Sequence, residues 1–451
     1  MIGRLTILQA VSFALLVIVP VRAQYLTQPP RQQSLPPGVS PASYAAGAWD
    51  EPANAGPAIT EQMLSQDRGW GYEDTNLDRV LRGLRRNTWI RLDYMNFDAT
   101  RPGSHLLGAD NPMVANERLP FTVSSGSTDI GVATVPALDG LQLRNSNGMR
   151  GTLGLMFNDG GVEFDVWGLK ENEASFSLRG LGAQDFGPTT GGNLPPDPIF
   201  AATSTLVNGE PGNNNFLYDH SFGARYVQDV WGAGINYIAN DSDIGEGVMM
   251  MPILGMRYLE VNEGLFQVGV FNGGFDGIVD FGEDLNSNGI LDAGEDINND
   301  GLLDLGLVST ITSRVNNEIY APQIGMRMQL QHRWFTLGFE PKFALGVNRY
   351  RMKVETNRLR SFGDGPTRET RRGARFAQVA DFRFFMKLFP SENIEFFLAY
   401  DITVAGGVSR AHDNILYNDN GQSEPPAIGV DPGFETLWWQ GLTVGGQIWL
   451  R

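Results

Sequence analysis

The stretch that decides the fold is IGMRMQLQHRWFTLGFEPKFALGVN, residues 324–348. Ile324, Met326, Met328 and Leu330 alternate with Gln323, Arg327 and Gln329. After a tight reversal at Gln331–Trp334, Phe335, Leu337, Phe339, Phe343, Leu345 and Val347 alternate with Thr336, Glu340, Lys342 and Asn348. A period of two sends successive side chains to opposite faces of a strand. The stretch therefore reads as a hairpin with one apolar and one polar face. Each arm has roughly the 9–11 residues that a tilted strand needs to cross a bilayer.

The same alternation recurs on either side. Ile90, Leu92 and Tyr94 alternate with Arg91 and Asp93, and Leu153, Leu155 and Phe157 with Arg150 and Thr152. Val162, Phe164 and Val166 alternate with Glu163 and Asp165. Phe382, Phe384, Met386 and Leu388 alternate with Asp381, Arg383 and Lys387. Ile394, Phe396, Leu398 and Tyr400 alternate with Glu395 and Asp401, and Leu442, Val444, Ile448 and Leu450 with Thr443 and Gln447. The pattern predicts twelve strands, near 87–98, 148–158, 161–171, 218–228, 230–240, 251–261, 264–272, 314–331, 334–355, 375–389, 393–406 and 437–450.

A soluble sheet with one wet face has the same alternation. Two features favour a membrane barrel. Connections alternate between short (Asn158–Gly161, Gln228–Val230, Val261–Gly264, Gln331–Trp334, Phe389–Asn393) and long (99–147, 172–217, 241–250, 273–313, 356–374, 407–436), as in outer-membrane barrels. Aromatic residues flank the short turns: Phe157, Trp231, Trp334, Phe335 and Phe389, with Trp449 at the last strand's end. Barrels wear such rings as girdles at the headgroup level. Glycines within strands, Gly154, Gly232 and Gly338 among them, leave space for large inward neighbours. The expected fold is all-β: a transmembrane antiparallel up-and-down β-barrel of about 12 strands over 88–451.

Composition agrees. The 451 residues carry 34 Lys+Arg against 51 Asp+Glu, a net charge of −17, and no Cys. That excludes disulfides and thiolate chemistry, and it argues against nucleic acid as a partner. Met1–Arg4 is a basic lead, Leu5–Val21 is mostly apolar, and Val21-Arg22-Ala23 ends in small residues. This is the layout of a signal peptide over 1–23, cleaved after Ala23. A Pro/Gln-rich leader covers 24–72, and an amphipathic helix is expected over 73–87, with Leu77, Val80, Leu81 and Leu84 on one face. The expected location is the cell outer membrane, with outer-membrane lipid and the barrel assembly machinery as partners.

With the apolar parity turned to lipid, the lumen receives Arg91, Asp93, Arg150, Glu163, Asp165, Arg225, Arg257, Arg327, Glu340, Lys342, Asp381, Arg383, Lys387, Glu395 and Asp401. Mixed signs in a confined space should pair. The favoured reading is a salt-bridge ladder that fills the barrel, over a selectivity lining for small solutes. The histidines are His105, His220, His332 and His412. None lies in a catalytic or metal motif, so no enzyme activity is expected.

The sharpest local motif is DLNSNGILDAGE at 284–295. Asp284, Asn286, Asn288, Ile290 (through its carbonyl), Asp292 and Glu295 take the six ligand positions of a calcium loop, and Gly289 takes the sharp turn. A second copy follows with Asp296, Asn298, Asp300, Leu302 (through its carbonyl) and Asp304, but Leu307 stands where the bidentate carboxylate belongs. Hard oxygen ligands suit Ca²⁺. The segment reads as a structural calcium clasp inserted in an external loop at 273–313. Nine acidic residues and no basic one lie between Gly273 and Leu307.

The strand cores GMRGTLGL (148–155), LGMRYLEV (254–261), NNEIYAPQIG (316–325), KFALGVN (342–348), AYDITVAGGVSR (399–410) and WWQGLTVGG (438–446) resemble the planctomycete-type outer-membrane β-barrel proteins of unknown function. The resemblance runs from about residue 87 to the end. It implies an outer-membrane location and no established activity. The calcium loops fall outside its pattern, as does the ending Trp449-Leu450-Arg451. The function expected is a structural surface protein or a narrow small-solute channel. The alternative is a secreted soluble β protein that binds carbohydrate or a protein partner through calcium-stabilised loops.

Overall fold

The computed structural model describes residues 87–109, 121–125, 128–157, 159–179, 181, 199–240, 242–245, 247–271, 306–359, 364–391, 393–419 and 426–450. The signal segment, the leader, the 73–87 helix apart from Asn87, and all eleven expected calcium ligands lie outside these residues.

Ten long strands carry the fold: β1 (Thr88–Ala99), β2 (Ser146–Phe157), β3 (Gly160–Arg179), β4 (Ser221–Ala239), β5 (Val248–Phe271), β6 (Leu307–Gln331), β7 (Phe335–Asn357), β8 (Thr367–Leu388), β9 (Ile394–Ser409) and β10 (Phe434–Leu450). Each pairs antiparallel with the next in sequence, and β10 pairs back with β1, from Thr88↔Leu450 to Ala99↔Trp439. The pairings close into a ring, so no long strand is left with a free edge. The four-residue strand Ser242–Gly245 folds back onto the start of β5.

The architecture expected from the periodicity is correct, but the number of strands is ten, not twelve. Segments 218–228 and 230–240 are one strand from Ser221, and 251–261 and 264–272 are one strand of 24 residues. The turns expected at Gln228–Val230 and Val261–Gly264 are continuous ladder, registered Gln228↔Glu263 and Val230↔Val261. The connection 241–250, expected to be long and external, joins β4 to β5 at the short-connection end. The long-connection end holds 100–145, 180–220, 272–306, 358–366 and 410–433.

The reason for the miscount is an inversion of polarity along the strands. At the short-connection end, apolar side chains point outward: Leu92 61%, Leu254 61%, Ile324 63% and Leu345 58% exposed. Nearer the long connections the same strands turn polar groups out and apolar groups in. On β7, Phe343, Leu345 and Val347 are exposed, whereas Tyr350, Met352 and Val354 point inward and Arg349, Arg351 and Lys353 point outward. Polar residues at 228–229 and 262–263 mark this changeover, not a turn.

On β6 the outward apolar run extends from Tyr320 to Leu330. Ten steps of about 3.3 Å, inclined by about 40°, rise roughly 25 Å, the height of the lipid-facing band of outer-membrane barrels. Its far rim carries an outward ladder of rings, Trp231–Tyr258–Tyr320, with centroids 4.8 and 5.0 Å apart. Trp231 and Tyr258 both donate to Glu260 (2.8 and 2.7 Å), and Tyr320 donates to Glu318 (3.1 Å). Trp231 is thus a girdle residue, but of the rim opposite to the one expected. Trp334 and Phe157 mark the near rim, 62% and 47% exposed. Trp449 points into the lumen and donates to Glu395 at 2.6 Å.

Inside, glycine makes room for rings. A Cβ on Gly232 would lie 2.8 Å from the Trp167 indole nitrogen, and one on Gly154 would collide with the Trp89 ring. At the long-connection end the short strands Phe121–Ser125, Thr128–Thr134, Ile199–Val207, Glu210–Tyr218 and Asn418–Asp419 form a second, smaller sheet.

Candidate functional site

The lumen has two storeys, and the inversion of polarity separates them. The lower one, inside the apolar band, holds the charges that the parity of the sequence sends inward. Arg327 lies across Glu163 with paired hydrogen bonds of 2.8 and 2.7 Å and reaches Glu340 at 2.5 Å. Lys342 meets Glu340 at 2.9 Å, and Lys387 meets Glu395 at 3.2 Å. Arg383 donates to Asp401 at 2.7 Å, and Arg150 approaches the same carboxylate at 3.5 Å. Arg91 pairs with Asp93 at 3.1 Å, and Arg257 with Asp381. Asn236 donates to Asp165 at 3.5 Å. The ladder links strands that are not neighbours in the ring, β3 to β6, β5 to β8 and β2 to β9, as expected of charges confined in a narrow space. Arg225 is the exception. It lies outward and half-exposed, against Glu173 at 3.1 Å, because it sits beyond the inversion, where the outer face is polar.

The upper storey is an apolar stopper. Met95, Phe97, Trp167, Leu259, Val261 and Leu265 point inward from the wall and are almost fully buried. Leu107, Leu138, Leu141 and Leu143 pack onto them from the 100–145 connection, and Ala411, Ile415 and Tyr417 from the 410–433 connection. The 3-10 turn Leu138–Gly140 is held by the His105 carbonyl, which accepts from the Leu138 amide at 2.9 Å. Where the storeys meet, Arg150, Asp165, Arg257, Met95 and Trp167 line a cavity of about 30 Å³. That volume suits a water molecule.

One ion pair is buried inside the stopper. Arg410 and Glu263 are both wholly buried, and the Arg410 Nε donates to both Glu263 oxygens at 3.0 and 2.9 Å. Glu263 also accepts from Tyr226 (2.5 Å), Gln228 (2.7 Å) and the Ala411 amide (3.2 Å). The Arg410 Nη1 donates to Glu435 at 3.2 Å, and Nη2 to the Thr100 carbonyl at 3.5 Å. One arginine thereby joins the ends of β1, β9 and β10 to the middle of β5.

Beside it, three residues distant in sequence converge. The His105 Nε2 lies 3.3 Å from the Glu435 Oε1, and the His412 Nε2 lies 3.7 Å from the Glu435 Oε2. The two imidazole centroids are 4.7 Å apart. The His105 imidazole, hydrogen-bonded to it, holds the Glu435 carboxyl well below the usual carboxylate range. That carboxyl in turn raises the His105 imidazole, while burial pushes His412 down. The sequence offered no sign of this group. Its histidines stand in no shared motif, and only the fold joins the 100–145 connection to the start of β10.

The ring defines a class, an antiparallel up-and-down β-barrel. Residues 294–449, the stretch that runs through β6–β10, match the model of the family described as "Putative beta barrel porin-7 (BBP7)". No curated protein matches the chain. Among solved structures, the toluene transporter TodX of P. putida is 10% identical, with 80% of this chain and 89% of that chain covered and a TM-score of 0.21. A FadL homologue of Pseudomonas aeruginosa is 8% identical, with 81% and 90% covered and a TM-score of 0.20. The translocator domain of the autotransporter NalP from Neisseria meningitidis is 8% identical, with 87% and 97% covered and a TM-score of 0.16.

Proposed function

We propose that the chain is a structural protein of the outer-membrane surface, a barrel that resides in the membrane without conducting solutes. The stopper carries this reading. The described lumen is filled by paired charges below and by buried apolar side chains above, whereas a channel needs a continuous wet path. The exposed apolar band supports a membrane location over secretion as a soluble protein, because a contiguous band of that size in water is an aggregation surface. Outer-membrane lipid and the barrel assembly machinery are the partners this reading implies, and the signal peptide over 1–23 is the route of export. No catalytic activity is assigned.

Two measurements test the proposal. The purified protein should show heat-modifiable gel mobility and fractionate with the outer membrane; a species soluble without detergent sinks the barrel reading. In planar bilayers, insertion should be electrically silent; a stable conductance step sinks the filled-scaffold reading and revives the channel.

The calcium loops belong to the same proposal, as a clasp that orders the external connection between β5 and β6. Calcium should protect the 273–313 segment of the wild type from protease, and the double variant Asp284→Ala, Glu295→Ala should lose that protection. Equal protection of both removes the clasp.

A further inference from the structure

We infer that His105, His412 and Glu435 form a binding site for a divalent transition metal of the zinc class at the long-connection mouth of the barrel. Ligand nitrogens of the two imidazoles and a carboxylate oxygen of Glu435 all lie within 4.8 Å of one another. Bonds of about 2.0–2.2 Å to one zinc ion would bring such atoms to within roughly 3.5 Å of each other.

The buried histidine argues independently for a ligand. The His412 side chain is 1% exposed, and neither of its ring nitrogens makes a hydrogen bond. A buried polar group without a partner costs about 1–3 kcal/mol. Metal coordination would satisfy one nitrogen with a far stronger bond. His105, by contrast, is 48% exposed, which gives the site an entry path from solvent.

The surroundings suit a cation. Arg410 holds one oxygen of Glu435, which leaves Oε1, on the side facing His105, to coordinate, and the arginine's own charge is matched by Glu263. A carboxylate fixed in this way by a second residue is a common support for a metal ligand. The donor set selects the metal. Two imidazoles and one carboxylate suit tetrahedral zinc with a fourth, open position. Calcium asks for six to eight oxygens and is not matched here. Bound metal would clip the segment after β1 to the segment after β9 and to the start of β10, fastening the stopper from above. The site differs from the calcium loops in its position in the sequence and in its donor chemistry.

The test uses the full chain, folded in detergent without a polyhistidine tag, and titrated with zinc chloride in excess calcium to occupy the acidic 273–313 segment. One zinc per chain is expected. His105→Gln, at a half-exposed position where folding is not at stake, should weaken binding at least a hundredfold, and Glu435→Gln similarly. His332→Gln, on the exposed turn between β6 and β7, should bind as wild type does. Cobalt should give the intense visible absorption of tetrahedral coordination in the wild type and lose it in His105→Gln. A wild type that takes up no zinc overturns the inference, as does saturable binding that survives His105→Gln undiminished.

Discussion

Replacing Arg410 with methionine is expected to destabilise the barrel by about 3–5 kcal/mol, the cost of leaving a buried carboxylate without its counter-ion. Arg410 and Glu263 have no solvent contact, and both carboxylate oxygens accept from the guanidinium. Tyr226, Gln228 and the Ala411 amide would still donate to Glu263 after the substitution. Neutral donors, however, do not replace a charge in surroundings of low polarity. Glu263→Gln should cost less, because Arg410 keeps Glu435 at 3.2 Å as a counter-ion. The double variant Arg410→Met, Glu263→Met removes both charges and should recover much of the loss, as replaced buried pairs do. Urea unfolding of lipid-embedded protein, followed by gel mobility, measures all three. A single variant within about 0.5 kcal/mol of wild type, the usual range of surface changes, would show that the pair is hydrated and that the stopper is not dry.

Ile324→Arg is expected to cost about 2–4 kcal/mol in lipid, the penalty for a cation at the bilayer midplane on the outer face of a barrel. Ile324 lies near the centre of the apolar run Tyr320–Leu330 of β6 and is 63% exposed. In water the same change would remove an apolar surface group and be nearly neutral. Thr312→Arg is the control. It lies on the outward face of the same strand but beyond the inversion, opposite Glu355 of β7, where an arginine meets solvent and a carboxylate. If both variants fold equally well, the apolar band does not face lipid.

The inversion also explains what was legible in the sequence. Parity was legible: Arg91, Glu163, Arg327, Glu340 and Asp401 point inward where the alternation sends them. Strand length was not. A reading that tracks one phase of alternation stops where the phase changes, and it did so at Gln228–Val230 and Val261–Gly264. The changeover is written in RYRMKVE, residues 349–355, where the apolar positions pass from odd to even numbers. That reads as the end of a strand only if a strand is assumed to keep one face in lipid throughout. The His105–His412–Glu435 group had no local signal at all. Its members stand in ordinary connections and at a strand start, and no spacing rule relates them.

The strand order has a consequence for how the ring is made. Nine of its ten seams join neighbours in sequence, so each can zip locally as a hairpin grows. The tenth joins Thr88–Ala99 to Trp439–Leu450, the two ends of the described chain. Loop-closure entropy rises only slowly with loop length, but contacts between distant segments form late because little rewards them until their surroundings are ordered. Until β1 meets β10, the growing sheet therefore exposes two edges at once, those two strands. During that interval the ten-stranded sheet has open β-edges to offer another chain.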